Sequence, residues 1–408
     1  VGNDTDPYRV FNTYQISAPF GSAGWASNNS QLANPVLDPE RMKSYEVGLE
    51  ANFFDRRVGF DVSYYNSQTE NQITPVPVST ATGFATKLLN AGTIENKGIE
   101  ASVTLNPVRT EDWNWTMNIN WAKNESEVLE LEDGIDNLQL ASFQGGVSIN
   151  AAPGQPYGAI RGSAYVYDDN GNKVITSGGY YARTPNANYI IGNIQPDWTG
   201  GVSNSISYKN LTLNFLVDVQ QGGDVFSLDT WYGRATGLYE SSVGTNELGN
   251  PIRNPLYDPD LEPGDIGYVT EAEQGGVILD GVQGDVSYNS DGTYEVTNTS
   301  ENTVRARTDY FGNPYGYGRD ANEGHVYDAS FVKLREASLT YNFGSQIIDA
   351  TPFTNASLSL IGRNLWIIHK NIPYSDPEAG LSSGNAQGYQ SGAYPAVREI
   401  GASLKFNF

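Results

Sequence analysis

Two histidines, His325 and His369, and no cysteine stand among 408 residues. The side chains that most often carry nucleophilic, acid–base or zinc chemistry are therefore nearly absent. The two imidazoles lie in separate segments, which disfavours a histidine triad and a multi-histidine zinc site. Zero cysteine removes disulfides, thiol catalysis and thiolate metal sites together. Asp and Glu number 47, and two carboxylates at the right separation can hydrolyse a glycoside, but no spacing singles out a pair. An enzyme is not expected. Asp168-Asp-Asn-Gly-Asn-Lys173 resembles the opening of a calcium loop but lacks the Glu twelve positions from its start. A hairpin turn at Asn170-Gly171 is the preferred reading, with loop-bound calcium as its alternative. No other cofactor is expected.

Recognition chemistry is better supplied. Trp231 and Tyr232 follow a strand ending at Gly223, and Tyr310, Phe311, Tyr315 and Tyr317 cluster before the next one. The C–H faces of a sugar ring stack on aromatic rings while neighbouring Asp and Asn bind hydroxyls, so these six are the candidate substrate contacts. The same rings would equally pack a long loop on itself or on a capping protein. The segment 223–328 carries 19 Asp and Glu against five Arg and Lys, a balance of −14 within a net charge of −23. That sign disfavours nucleic acid as a partner. The excess reads either as a solvated loop surface or as a loop that meets a protein, a cation or a polar ligand.

The elements that must position these residues are strands of period two. In the last eleven residues Ile400, Ala402, Leu404, Phe406 and Phe408 share one face, and Glu399, Gly401, Ser403, Lys405 and Asn407 the other. The pattern recurs at 45–53, 58–64, 99–105, 113–121, 202–208, 211–219, 337–343 and 356–360, giving nine strands with the last. Most have about the 9–11 residues that a tilted strand needs to cross a bilayer. There is no run of about 18 apolar residues, so no transmembrane helix is expected. A mean hydropathy of −0.44 fits a barrel whose inner face and loops are polar. The expected fold is an all-β, antiparallel transmembrane barrel with long extracellular loops.

Connection lengths alternate. Short links fall at 55–57, 108–112, 209–210 and 344–352, and long ones at 71–95, 127–198, 222–328 and 367–397. Tight turns on one side and large loops on the other are what a membrane barrel shows. With the short turns periplasmic, the first strand runs inward and the ninth ends at Phe408 in the periplasm. An odd strand count cannot close a single-chain barrel of this type, so the chain is expected to be the C-terminal part of something larger. Val1 in place of Met, with no charged-then-apolar leader, agrees with a processed or truncated start. Residues 1–40 read as an extracellular lead-in and 41–408 as barrel strands and loops, with no plug domain.

Two details refine the wall. Lys333 and Arg335 share parity with Leu339 whereas Val332 and Leu334 do not, so either a bulge falls near 334–336 or the strand emerges above the membrane there. Trp113, Tyr208, Tyr341, Phe343, Phe406 and Phe408 sit beside short turns, where an aromatic girdle belongs. Lumen-facing Glu46, Glu50, Asp61, Glu100 and Asp218 are expected to salt-bridge plug or wall residues. Leu404, Phe406 and Phe408 are the candidate barrel-assembly signal.

Several tags resemble the C-terminal half of SusC/RagA-like TonB-linked outer-membrane transporters. They are Asn34-Pro-Val-Leu-Asp-Pro-Glu-Arg-Met-Lys-Ser-Tyr-Glu-Val-Gly48, Tyr64-Tyr65-Asn66, and Asn90-Ala-Gly-Thr-Ile-Glu-Asn-Lys-Gly-Ile-Glu100. Further along stand Pro196-Asp-Trp-Thr-Gly-Gly201, Gln220-Gln-Gly-Gly223, Ala329-Ser-Phe-Val-Lys-Leu-Arg-Glu336, Gly362-Arg-Asn-Leu-Trp366 and Asp376-Pro-Glu378. Order and spacing match from about residue 34 to the end. The resemblance implies a barrel of 22 strands, with the N-terminal half of the same transporter and outer-membrane lipid as neighbours. It also implies a SusD-like surface lipoprotein as a cap, TonB acting through a plug outside this chain, and import of an oligosaccharide or peptide. Two rivals stay open at this point: the wall of a passive porin or secretion channel, and a soluble β-sandwich adhesin or glycan-binding module.

Overall fold

The computed structural model describes residues 2–3, 9–308, 313–349, 351–380, 384, 387–394 and 396–408. The nine expected strands form one antiparallel sheet in chain order. They are β1 (Glu40–Phe53), β2 (Val58–Glu70), β3 (Thr93–Arg109), β4 (Trp113–Glu130) and β5 (Pro196–Tyr208), then β6 (Leu211–Gly222), β7 (Phe331–Asn342), β8 (Asn355–Lys370) and β9 (Glu399–Asn407). Gly2–Asn3 adds a two-residue pairing to Glu40 and Arg41 at the start of β1. One continuous sheet, rather than two packed layers, sets the β-sandwich rival aside.

The strands reach 17 and 18 residues in β3 and β4, longer than a bilayer crossing needs. The surplus lies on the long-loop side, where Glu95, Asn96 and Lys97 replace the apolar alternation that runs from Ile99 to Leu105. The apolar face of the wall lies open to its surroundings, with Val47 70% and Ile400 80% exposed. Exposed aliphatic rows on a continuous sheet suit contact with lipid tails, which offer no competing hydrogen bonds while the ladder satisfies every backbone group.

The expected irregularity in β7 is a bulge at Arg335. Val217 pairs with Leu334 while Leu216 pairs with Glu336, which leaves Arg335 without a partner across the ladder, and the β8 register jumps at the same place. The extra residue restores the phase. Val332 and Leu334 stand opposite Val219 and Val217 on the apolar face, while Lys333 stands opposite Asp218 on the polar one. The girdle is also present: Trp113 lies 4.4 Å from Tyr208, Tyr341 meets Phe343 edge-on at 5.5 Å, and Phe353 stacks on Phe406 at 4.5 Å.

The long links carry structure of their own, and the densest cores are there rather than in the wall. Leu138–Phe143, Val147–Ala151, Ala159–Gly162 and Tyr189–Asn193 form a four-stranded sheet. Its apolar face packs on α1 (Leu228–Ala235), with Val147, Ile149, Ile160, Phe226, Leu228, Trp231 and Tyr389 buried together. A second small core gathers Val166, Val174 and Ala182 beneath the hairpin Val282–Tyr288/Tyr294–Glu301.

Candidate functional site

The inner face of β1–β4 is polar by strand parity. Glu50 stands directly opposite Asp61, and Glu100 opposite Ser63. Glu46, Asp61, Ser63, Glu100 and Asn120 line one shallow hollow of about 560 Å³. The expectation of salt bridges holds for Asp218, whose Oδ2 lies 2.6 Å from Nη2 of Arg335. It is corrected as far as this wall is concerned for Glu46, Glu50, Asp61 and Glu100. Among the described residues no cation reaches these four; Lys97 of β3 and Lys123 of β4 pair instead with Glu95 and Glu125 near the loop ends of those strands.

In the loop over 223–328, α1 begins where Ser227 Oγ accepts from the Thr230 amide at 3.2 Å, an N-cap directly after the buried Phe226. Trp231 is 4% exposed and faces the loop core, with His325 edge-on at 5.0 Å. Tyr232 accepts from Gln144 Nε2 at 3.2 Å. Tyr317, 59% exposed, leans on Tyr232 at 5.2 Å and on Trp231 at 6.2 Å. The structure thus brings Trp231, Tyr232 and Tyr317 into one cluster with Tyr317 outermost. Tyr315 packs in a different place, against Ile175, Leu279 and Ala306. Tyr310 and Phe311 lie outside the described residues. Leu404 and Phe406 stand on the apolar face of β9, and Phe408 follows it, 5.1 Å from Phe353.

Asp168 sits in a hairpin closed by the Tyr167–Lys173 bridge. Its Oδ1 accepts from the amides of Asn172 (2.8 Å) and Asn170 (3.0 Å), and these bonds hold the carboxyl below its ordinary range. Among the described residues no group of three or more His, Asp or Glu side chains is arranged to hold a metal.

Two constellations were not legible as units in the sequence. His325 is fully buried, with Nδ1 3.0 Å from Thr230 Oγ1 and Nε2 3.3 Å from Asp320 Oδ2. Asp320, also buried, accepts from the Tyr165 hydroxyl at 2.7 Å and the Ala321 amide at 2.9 Å. Burial, and next the nearby Asp320 charge, push the Tyr165 phenol far up. The second constellation is a knot of charge on the inner face of β7. Lys333 pairs with Asp376 and Glu378, and Arg335 with Glu378 and Asp218. The sequence signal for it was the phase slip at Lys333 and Arg335, which marked the bulge but named no partner.

The family model described as TonB dependent receptor-like, beta-barrel matches residues 6–218. The chain is 24% identical over 407 residues to TonB-dependent receptor P3 of Formosa agariphila, covering 93% of this chain and 35% of the relative. It is 24% identical over 221 residues to TonB-dependent receptor SusC of Bacteroides thetaiotaomicron, covering 51% of this chain and 22% of that one. Among solved structures, that of the RagAB peptide transporter superposes over all of this chain and 40% of its own, with a TM-score of 0.68 at 18% identity. The chain spans about a third of the length of the curated relatives it matches most fully.

Proposed function

Because the chain belongs to the TonB dependent receptor-like β-barrel family of the bacterial outer membrane, a family of receptors and not of enzymes, we propose that it forms wall and mouth of an active importer. The cargo is a nutrient, an oligosaccharide or a peptide. It is caught between the extracellular loops and a SusD-like lipoprotein, and released when TonB pulls on a plug carried in another segment. Transport then requires no chemistry from this chain. Its part is a polar lumen, a share of the ligand site around Tyr317 and Tyr232, and a rim for the cap.

The observation that carries this reading is a wall with a polar inner face whose long connections fold into buried cores of their own, in a chain of that family. A passive pore has no need of loops with such cores. A ligand-gripping surface needs such cores to hold aromatic side chains in place. One neighbour in fold, RagAB, is a peptide transporter, which supports a peptide as cargo. The test is gentle detergent extraction from native membranes followed by mass spectrometry of everything that co-purifies. Recovery of a plug-bearing segment and a surface lipoprotein is the expected result. A complete barrel without either would make the protein a channel or secretion pore.

A further inference from the structure

The charge knot on β7 ties down a specific piece of chain. Residues 371–380 leave the loop end of β8 and turn back to β7, fixed at four points. Ile372 is buried between Val225 and Ala329. Tyr374 stacks on Tyr239 with centroids 4.2 Å apart and planes at 10°, holding its own backbone at φ +61, where a bulky residue is strained. Lys370 Nζ donates to the Ser375 carbonyl at 2.6 Å. Asp376 and Glu378 then reach the inner face of β7, where Lys333 holds both and Arg335 holds Glu378. Lys333 is 5% exposed, and the Phe331 ring lies 4.8 Å from its ammonium and 5.4 Å from the Arg335 guanidinium.

We propose that residues 371–380 are a strap, held shut over the rim of the lumen by this knot and released as one piece when the knot is broken. The hold is mainly ionic: one aliphatic anchor and one aromatic stack are little apolar burial for ten residues. Its contacts among themselves are turns of short range, such as Glu378 N to Asp376 Oδ1 at 3.0 Å and Ala379 N to the Asp376 carbonyl at 3.0 Å, so its amides are protected only while it is held down. The knot is also asymmetric. When the strap lifts, Arg335 keeps Asp218, but Lys333 loses both of its carboxylates. A buried cation without a partner is strongly unfavourable, so the shut state is preferred until something anionic takes that place. Lys333 and Arg335, two apart on one strand, both face the lumen, and the bulge at Arg335 returns Ala337 and Leu339 to the apolar face beyond them.

The inference concerns motion at the mouth, and its test needs neither cargo nor TonB. Hydrogen–deuterium exchange is measured by mass spectrometry on the detergent-extracted protein with all its associated chains, for wild type, Asp376→Asn/Glu378→Gln and Lys333→Gln. The first variant leaves the wall untouched, so it reports on the strap even if Lys333→Gln inserts poorly. Amides over 374–380 are expected to exchange about tenfold faster or more in every variant that folds, with the four-stranded loop sheet unchanged. Unchanged exchange over 374–380 in Asp376→Asn/Glu378→Gln overturns the proposal. So does acceleration that spreads to 138–193, since the knot would then be a brace for the whole mouth.

Discussion

The Tyr165 hydroxyl donates to Oδ1 of Asp320 at 2.7 Å across 155 residues of chain. Both groups are buried, and they join the loop over 127–198 to the end of the loop over 222–328. Tyr165→Phe leaves that oxygen with the Ala321 amide as its remaining donor, so it is expected to cost about 1–3 kcal/mol. The loss should appear as lower protection of loop amides in exchange measurements, with the wall strands unaffected.

The same loops make stability fall at alkaline pH. Burial is the first cause for both Tyr181, whose phenol is pushed up to about 12 by it and then by Asp320, and Tyr389, pushed up to about 12 by it and then by Tyr232. In the unfolded chain a phenol titrates near pH 10. The folded loops therefore hold more protons than the unfolded ones between about pH 10 and about pH 12. Their contribution is complete below the lower limit and lost as pH rises through the upper one. Loop melting followed against pH by tyrosinate absorbance is expected to show that decline, shallower in Tyr389→Phe.

Gly98 is open to a sharp structural test. A Cβ there would lie 2.5 Å from the Tyr65 hydroxyl oxygen and collide with the Lys123 carbonyl. The glycine makes room for the Tyr65 ring, whose hydroxyl donates to Asn124 Oδ1 at 2.9 Å on β4. Gly98→Ala is expected to destabilise by about 1–3 kcal/mol or more, seen as a lower temperature of heat-modifiable mobility on gels. Pairing it with Tyr65→Ala should recover part of the loss.

Phe353 stacks on Phe406 and meets Phe408 edge-on, so the turn before β8 and the end of β9 form one aromatic corner. Deleting Phe408 is expected to reduce outer-membrane yield sharply, and Phe353→Ala to reduce it less. Normal insertion of the deletion would remove Phe408 from the assembly signal.

The aromatic cluster separates packing from binding. Trp231→Ala is expected to cost about 3–5 kcal/mol in the loop core and to loosen the four-stranded sheet. Tyr317→Ala removes a ring that is largely exposed, so it should leave loop melting unchanged and weaken uptake of the cargo. Equal uptake by Tyr317→Ala and wild type would place the ligand elsewhere.

What the sequence determined by itself was the wall. Strand period, the face each side chain takes, the girdle and the phase slip at Lys333 and Arg335 all follow from interactions between near neighbours, while the register across β6 and β8 decided that the slip is a bulge. Lipid on one side and a polar lumen on the other select the same alternation nine times over. The mouth was decided only by tertiary structure. Asp218, Lys333, Arg335, Asp376 and Glu378 were each visible, but their pairing spans 43 to 117 residues and depends on where the segment after β8 meets β7. Trp231 and Tyr317 look alike in the sequence, as aromatics in a long acidic loop. Trp231 is buried because α1 packs it into the core of the four-stranded sheet from a different loop, whereas Tyr317 lies outside that core. No local periodicity encodes that choice, since it rests on contacts between segments that meet only once the wall has brought their ends together.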